Sequence, residues 1–151
     1  MDDNYMKDCF ELENLLVRYT YAMDSIHEEG AVERLMALFT EDAVSEGPYG
    51  PRLEGKHELE RSTRERLVEL RATTEWRHYV TNVLIDVQGD NATIKAYLMQ
   101  LYRRPMYGNR TTGDIQLTEQ VNGDYQFDAR RENSEWRLCR RILHLIPTGR
   151  F

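Results

Sequence analysis

The side chains able to do chemistry are few and widely spaced in this sequence. There are four histidines and two cysteines, which are His27, His57, His78, His144, Cys9 and Cys139. No two histidines have the H-x-H or H-x-x-x-H spacing of a metal site, and the cysteines are too distant for a metal knuckle or a disulfide framework. The sequence also contains no Gly-rich phosphate loop and no G-x-S-x-G motif. It therefore predicts no metal and no cofactor. The chemistry that remains possible is acid–base catalysis by individual side chains.

His78 lies in a predicted strand, on a face whose residue pattern is typical of a pocket wall. Strand alternation gives its face isolated polar groups among apolar ones, namely Val80, Asn82, Leu84 and Asp86. A neutral imidazole can abstract a proton bound to carbon. A single histidine in a strand is nevertheless more often structural, and the same holds for an aspartate such as Asp24 near the end of a predicted helix.

Length and composition indicate one domain with a sizeable core. The chain has 151 residues, of which 40% are hydrophobic and 10% aromatic, so we treat residues 1–151 as a single domain. Its net charge of −6 argues against nucleic acid as a partner, because dedicated nucleic-acid-binding domains are usually basic. The acidic start is unlike a signal peptide, and no apolar run approaches the length of a membrane span. We therefore expect a cytoplasmic protein with reduced cysteines and no membrane partner.

The first half of the chain has the periodicity of helices. Apolar residues spaced three and four apart predict a helix at roughly 6–25, a second helical stretch after Gly30 and a third, strongly charged helix over 56–71. The polar cluster Thr40-Glu41-Asp42 ends the second stretch and leads into a short apolar run. Two prolines and two glycines make residues 47–51 a loop.

After residue 75 the period changes to two, which predicts strands. We expect a long hairpin, then one bent strand or two strands around Asn122-Gly123, and a final strand, with a loop over 105–113. The predicted strand ranges are 76–87, 92–104, 114–121, 125–131 and 136–146. Helices first and strands after them predict an α+β fold, with three helices packed on one face of a curved mixed or antiparallel sheet of five or six strands.

Several short phrases of this sequence resemble a known family. They are Tyr19…Asp24, Leu38-Phe39-Thr40-Glu41-Asp42-Ala43, Gly55, His78-Tyr79-Val80-Thr81-Asn82, Gly89-Asp90-Asn91-Ala92 and Trp136-Arg137-Leu138…Arg141. In this order, over roughly residues 10–145, they resemble the SnoaL-like branch of the nuclear-transport-factor-2-like superfamily. The resemblance implies a cone-shaped barrel whose strongly bent sheet wraps about three helices and encloses one deep pocket. The family includes dehydratases, a dehydrochlorinase, cyclases, an isomerase and dioxygenase small subunits, so the fold alone does not set the reaction.

The resemblance implies a catalytic pair. The family's dehydratases and dehydrochlorinase use an aspartate late in the first helix and a histidine on the first long strand, and Asp24 and His78 occupy those places. In such a pair the carboxylate fixes the imidazole tautomer and stabilises the imidazolium that forms when a carbon-bound proton is removed. A resemblance to the bile-acid dehydratase adds Tyr19, five residues before Asp24, as a catalytic phenol. The alternative is that Tyr19 belongs to the apolar stripe of the first helix.

Five further residues are candidates for binding the substrate, which are Tyr21, Asn82, Arg141, Tyr125 and Phe127. Tyr21 is a second phenol near Asp24, and Asn82 can donate a hydrogen bond to an enolate oxygen. Arg141 falls where some family members have a pocket arginine, although alternation alone leaves open which face of the last strand is concave. Tyr125 and Phe127 share a strand face that either lines the pocket or belongs to the core.

Together these features predict a cofactor-independent lyase of the dehydratase type, acting on a small, hydrophobic, cyclic substrate. A polyketide-type cyclase or an isomerase would use the same pair. A ligand-binding protein similar to a dioxygenase small subunit would keep the fold and use no acid or base. Apolar positions such as Leu101, Leu117 and Ile146 are expected on the convex face of the sheet, and relatives associate through that face, so we expect a homodimer or homotrimer.

Overall fold

The three predicted helices and the strands after residue 75 follow the predicted order, and two further strands precede the third helix. The computed structural model describes residues 3–70, 75–103 and 118–146. The helices are α1 (Asp3–Asp24), α2 (Ala31–Met36) and α3 (Lys56–Leu70). The strands are β1 (Phe39–Glu46), β2 (Leu53–Glu54), β3 (Glu75–Gln88), β4 (Asn91–Arg103), β5 (Thr118–Glu132) and β6 (Glu135–Ile146). The predicted α+β class is therefore confirmed.

The six strands form one open, mixed sheet in the order β2-β1-β6-β5-β4-β3. β1 and β6 run parallel, and the other neighbouring pairs are antiparallel. The apolar stripe of α1 and the inner face of the sheet share one buried core, which includes Leu12, Leu16, Tyr19, Ile94, Leu98 and Phe127. None of the described helices is long and apolar enough to cross a membrane. Because β3 is an edge strand, one side of its backbone is left for contacts with α1.

A β-bulge in β3 changes which of its residues face the core. The ladder with β4 shifts register between Thr81 and Leu84, where β3 holds one extra residue. Asn82 has φ 53° there, a left-handed conformation that asparagine adopts more readily than most residues. Asn82 and Leu84 are consequently exposed, and the residues packed against the core beyond the bulge are Val83, Ile85 and Val87. The strict alternation predicted from His78 onwards is therefore wrong beyond Val80.

A second bulge, in β6, brings Arg141 to the core side of the sheet. The ladder between β5 and β6 shifts register at Cys139, which has no partner in β5. Leu138 before the bulge is fully buried, and Arg141 after it pairs with the buried Phe127. Without a bulge, strand alternation would place Leu138 and Arg141 on opposite faces of the sheet. Because of the bulge, both side chains lie on the face that is packed against the helices.

The remaining differences from the prediction lie in the segment after α2. The polar cluster Thr40-Glu41-Asp42 does not separate a helix from a short apolar run, because β1 already begins at Phe39. The two-residue strand β2 follows the predicted loop over 47–51 and pairs with β1 at Val44 and Ser45. β5 continues through Asn122-Gly123 as one strand, which is one of the two predicted alternatives. The predicted loop 105–113 and residues 114–117 lie outside the described residues.

Candidate active site

Asp24 and His78 form a buried hydrogen-bonded pair where the end of α1 meets β3. Oδ1 of Asp24 lies 2.7 Å from Nδ1 of His78, and the same oxygen accepts a hydrogen bond from the backbone N–H of His78 at 3.1 Å. The His78 side chain is 2% exposed and the Asp24 side chain 14% exposed. Arg77 points outward from the neighbouring position, with Nη1 3.9 Å from Oδ2 of Asp24. Solvent therefore competes little for the contact between carboxylate and ring.

This hydrogen bond sets the tautomer of His78. An ionised carboxylate can only accept hydrogen bonds, so Nδ1 carries the proton that faces Asp24. In the neutral ring, Nε2 is then the unprotonated and basic nitrogen. No hydrogen bond from the described side chains occupies Nε2. The arrangement is chemically suited to removing a proton through Nε2.

Trp76 fixes the end of α1 beside the pair. It lies two residues before His78 on the same face of β3, and its Nε1 donates a hydrogen bond to the carbonyl of Met23 at 2.7 Å. That carbonyl lies in the last turn of α1, where backbone acceptors lack helical partners. The Trp76 ring also packs against His27, with ring centroids 5.4 Å apart. Trp76 was not among the site residues predicted from the sequence, although its spacing from His78 places it on the same strand face.

Tyr19 lies in an aromatic cluster under α1. Its ring, 2% exposed, meets Phe39, Tyr125 and Phe127 edge-on, with centroid distances of 6.2, 6.1 and 4.9 Å respectively. Tyr19 therefore belongs to the apolar stripe of α1, which was the alternative to its predicted role as a catalytic phenol. Its side chain also lines the cavity described below. Tyr125 and Phe127 are core residues behind that cavity.

Arg141 lies against this cluster without an acidic partner among the described residues. Its Nη1 donates a hydrogen bond to Oγ of Ser45 at 3.0 Å, and its guanidinium carbon lies 5.5 Å from the centre of the Tyr125 ring. Burial disfavours its charge, yet the neighbouring phenols of Tyr19 and Tyr125 hold the pKa of Arg141 above its ordinary value. Burial raises the pKa of Tyr125, and Arg141 offsets only part of that effect. At neutral pH the Arg141 guanidinium is thus a cation beside the neutral phenol of Tyr125.

A cavity of about 140 Å³ lies between α1, α2, α3 and the sheet. Its wall is mostly apolar, and the polar side chains in it include Tyr19, Ser45, Arg66 and Arg141. The loop over 47–51 closes one side. Met23 and Trp76 belong to the wall, whereas Asp24 and His78, which adjoin them in the chain or on the strand face, do not. The pair therefore lies next to the cavity and behind its lining.

The sequence profile of the SnoaL-like domain matches residues 5–142 of the chain. The chain belongs to the SnoaL-like family. Among solved structures it is similar to a scytalone dehydratase-like protein from Novosphingobium aromaticivorans, at 18% identity over 100% of this chain and 99% of that one, with a TM-score of 0.77. It is also similar to a dehydratase-like protein of the NTF2-like family from Streptomyces avermitilis, at 19% identity over 93% and 97% of the two chains, with a TM-score of 0.76.

A third similar structure is a ketosteroid isomerase-like protein from Erwinia carotovora atroseptica, at 18% identity over 91% of this chain and 95% of that one, with a TM-score of 0.65. No curated protein matches the chain. At these identities the similar structures establish the NTF2-like, cystatin-like fold that the sequence resemblance implied. The fold does not determine the reaction, so the reaction of this SnoaL-like protein has to be inferred from its own residues.

Two of the predicted substrate-binding residues lie away from the cavity of this SnoaL-like protein. Tyr21 is 74% exposed, because it lies on the outer face of α1, whereas Tyr19 lies on the inner face. Asn82 is exposed on the bulge of β3. Neither side chain therefore belongs to the wall of this cavity, although both were predicted to bind the substrate. Within the described residues there is also no group of three side chains that could hold a metal ion.

Two polar residues near the site were not predicted from the sequence. Ser45 anchors Arg141 from β1, and its place beside β6 depends on a parallel pairing that no local pattern indicates. Gln100 is 7% exposed and lies opposite His78 in the ladder between β3 and β4. A signal for Gln100 was present, because this polar residue continues a β4 face whose preceding positions, Ala92, Ile94, Ala96 and Leu98, are all apolar.

Proposed function

We propose that this SnoaL-like protein is a cofactor-independent lyase that eliminates water, or a similar leaving group, from a small cyclic substrate. The observation that carries the proposal is the buried 2.7 Å contact between Nδ1 of His78 and Oδ1 of Asp24. It leaves Nε2 as the base and places a negative charge where the imidazolium would form. The pair could instead serve only to join α1 to β3. That structural role explains the contact between Asp24 and His78, but it does not require that Nε2 of His78 be left without a partner among the described residues.

In the proposed reaction His78 removes a proton from a carbon next to an electron-withdrawing group. The C–H electron pair becomes the new double bond, and the C–O bond to the leaving hydroxyl breaks. Tyr19 supplies a proton to that oxygen, so that water leaves, and the proton on His78 then returns to the Tyr19 phenolate, either directly or through solvent. Arg141 stabilises negative charge that develops on the substrate, a kind of contribution worth roughly 10²–10³ in rate.

The cavity supports a small substrate. Its volume of about 140 Å³ is close to that of an apolar protein cavity able to hold one benzene-sized ring, roughly 150 Å³. Apolar side chains such as Leu35, Met36 and Leu59 would contact the ring. A single-ring β-hydroxy-carbonyl compound matches these dimensions and provides the acidic proton and the leaving hydroxyl.

The test compares His78→Ala and Asp24→Asn with the wild type on a panel of cyclic β-hydroxy-carbonyl compounds. Formation of the conjugated double bond is followed by ultraviolet absorbance. We expect both variants to lose at least about 10²-fold in kcat. His144→Ala is the matched control, because His144 is exposed on β6. If the wild type turns a compound over and both site variants retain its full rate with the fold intact, the proposal is wrong.

One observation favours a non-catalytic function instead. Neither Asp24 nor His78 belongs to the wall of the cavity, so a ligand could occupy it without meeting the base. A protein that only binds its ligand would show saturable binding, unchanged ligand after incubation, and equal affinity in the wild type and His78→Ala. A cyclase or isomerase using the same pair would convert the compound without releasing water, which mass spectrometry of the product distinguishes.

We also propose that the protein is a homodimer or homotrimer. The outer face of β3 and β4 exposes Tyr79, Leu84, Tyr97 and Met99, and two of these, Tyr79 and Met99, are directly opposite in the ladder. Apolar side chains grouped in this way mark association surfaces more often than isolated ones do. Leu101 and Ile146, named from the sequence, are partly buried, and Leu117 lies outside the described residues. A monomer mass by light scattering at micromolar concentration would contradict this proposal.

A further inference from the structure

Most of the arginines whose side chains the structure describes are paired with carboxylates. Among those whose side chains the structure describes, nine lie within 4.0 Å of an aspartate or glutamate oxygen, which are Arg34, Arg52, Arg61, Arg64, Arg77, Arg130, Arg131, Arg137 and Arg140. The exceptions within the described side chains are Arg18, Arg66 and Arg141. Two of these three, Arg66 and Arg141, line the cavity, and no acidic residue is among its described lining residues. The charge inside the cavity is thus opposite in sign to that of the whole chain.

Arg141 has unused hydrogen-bonding capacity at the wall of the cavity. Its Nε is buried and has no hydrogen-bond partner, while Nη1 is held by Ser45. A buried donor left unsatisfied is destabilising, and a buried cation without a counter-charge more so. The contact with the Tyr125 ring and the hydrogen bonds from Arg141 to the phenols of Tyr19 and Tyr125 offset part of this cost, but they leave Nε unpaired and supply no negative charge. An anionic oxygen in the cavity would supply both the charge and the acceptor.

Arg66 provides a second cation at the rim. It lies on α3, is exposed, and its Nη2 donates a hydrogen bond to the carbonyl of Tyr49 at 3.1 Å. Its guanidinium carbon also lies 5.5 Å from the centre of the Tyr49 ring. Arg66 therefore joins α3 to the loop over 47–51, which borders the cavity. An approaching anion would meet this cation before it reached Arg141.

We infer that the cavity binds its substrate as an organic anion, with a carboxylate on Arg141 and a single apolar ring against the remaining wall. A planar guanidinium fits the two oxygens of a carboxylate, which favours an acid over a neutral carbonyl compound. The apolar lining excludes a small inorganic anion as the best ligand, because it would leave that surface without contacts. This inference rests on the proposed function in that it names the substrate class of the same cavity, but acid binding itself does not require the Asp24–His78 pair.

The test is calorimetric titration with matched acids and amides, using benzoate against benzamide and cyclohexanecarboxylate against its amide. We expect each acid to bind roughly 10- to 100-fold more tightly than its amide, the range expected for one charged hydrogen-bonded contact. Arg141→Gln should abolish this preference. Arg141→Lys retains the charge and should therefore preserve part of the preference for the acid. This variant keeps the test informative if Arg141→Gln does not fold. Arg18→Gln is the matched control, because Arg18 is an unpaired arginine on the surface outside this cavity.

Two results would overturn the inference. One is equal affinity for acids and amides in the wild type, and the other is an acid preference that survives in a folded Arg141→Gln protein. The His78→Ala variant separates this inference from the proposed function. Retained acid binding with full turnover by His78→Ala would refute the lyase mechanism alone, whereas lost turnover together with equal binding of acids and amides would refute the organic-anion inference alone.

Discussion

Replacing Asp24 by asparagine is the change that most directly tests how the His78 ring is held. Asparagine keeps the shape of the side chain but replaces a pure acceptor by a group with one accepting oxygen and one donating nitrogen. In the wild type, Oδ1 accepts from both Nδ1 and the backbone N–H of His78, at 2.7 and 3.1 Å. The amide nitrogen of the introduced asparagine can face the ring only if Nδ1 becomes the acceptor, which moves the ring proton to Nε2.

The expected loss of stability follows from these two hydrogen bonds. A hydrogen bond to a charged group contributes about 1.5–3 kcal/mol and a neutral one about 0.5–1.5 kcal/mol, so losing the charge weakens each by roughly 1 kcal/mol. We therefore expect Asp24→Asn to lower the free energy of unfolding by about 1–3 kcal/mol. Arg77→Gln is the control, because Arg77 is 67% exposed and 3.9 Å from Asp24. Its loss should cost less than about 1 kcal/mol.

Urea denaturation measures these stabilities, and ¹⁵N NMR of the imidazole reads the tautomer without any substrate. The wild-type His78 should show the proton on Nδ1 at neutral pH, and Asp24→Asn should shift the ring towards the tautomer protonated on Nε2. A wild-type ring protonated on Nε2 would refute the assigned hydrogen bond. An Asp24→Asn protein as stable as the wild type, with an unchanged tautomer, would show that the carboxylate does not control the ring.

Three further predictions concern other parts of the fold. Burial favours the neutral form of Asp8, but Arg131 and Trp136 hold its pKa below the ordinary value, so this carboxylate stabilises the fold at neutral pH and loses that effect as the pH falls below about 4. Urea denaturation should show Asp8→Asn less stable than the wild type by roughly 1–3 kcal/mol at pH 7, with a smaller difference at pH 3. Thermal denaturation should show Asn82→Gly tolerated and Asn82→Val destabilised by about 1 kcal/mol or more at φ 53°, with neither change affecting turnover. Gly123→Ala should lower stability by roughly 1–3 kcal/mol by urea denaturation, since an added Cβ would lie 2.5 Å from the carbonyl oxygen of His144.

Much of the architecture could be predicted from the sequence because local periodicity determines it. The stripe containing Leu12, Leu16 and Tyr19 follows a helical period, and all three are buried in α1. The change to a period of two after residue 75 marks the start of β3. β2 was missed because it holds only two residues, and its pairing with β1 depends on a loop conformation rather than on side-chain alternation.

The composition of the site could not be predicted to the same extent, because two bulges determine it. A single extra residue exchanges the two faces of a strand, so the bulge at Asn82 removes that side chain from the inner face, and the bulge at Cys139 places Arg141 on it. Neither extra residue interrupts the apolar pattern strongly enough to be recognised in a single sequence. His78 precedes the bulge in β3, where strand alternation still predicts which face a side chain occupies. The distance of a candidate residue from such a bulge therefore decides how far strand alternation can predict its contacts.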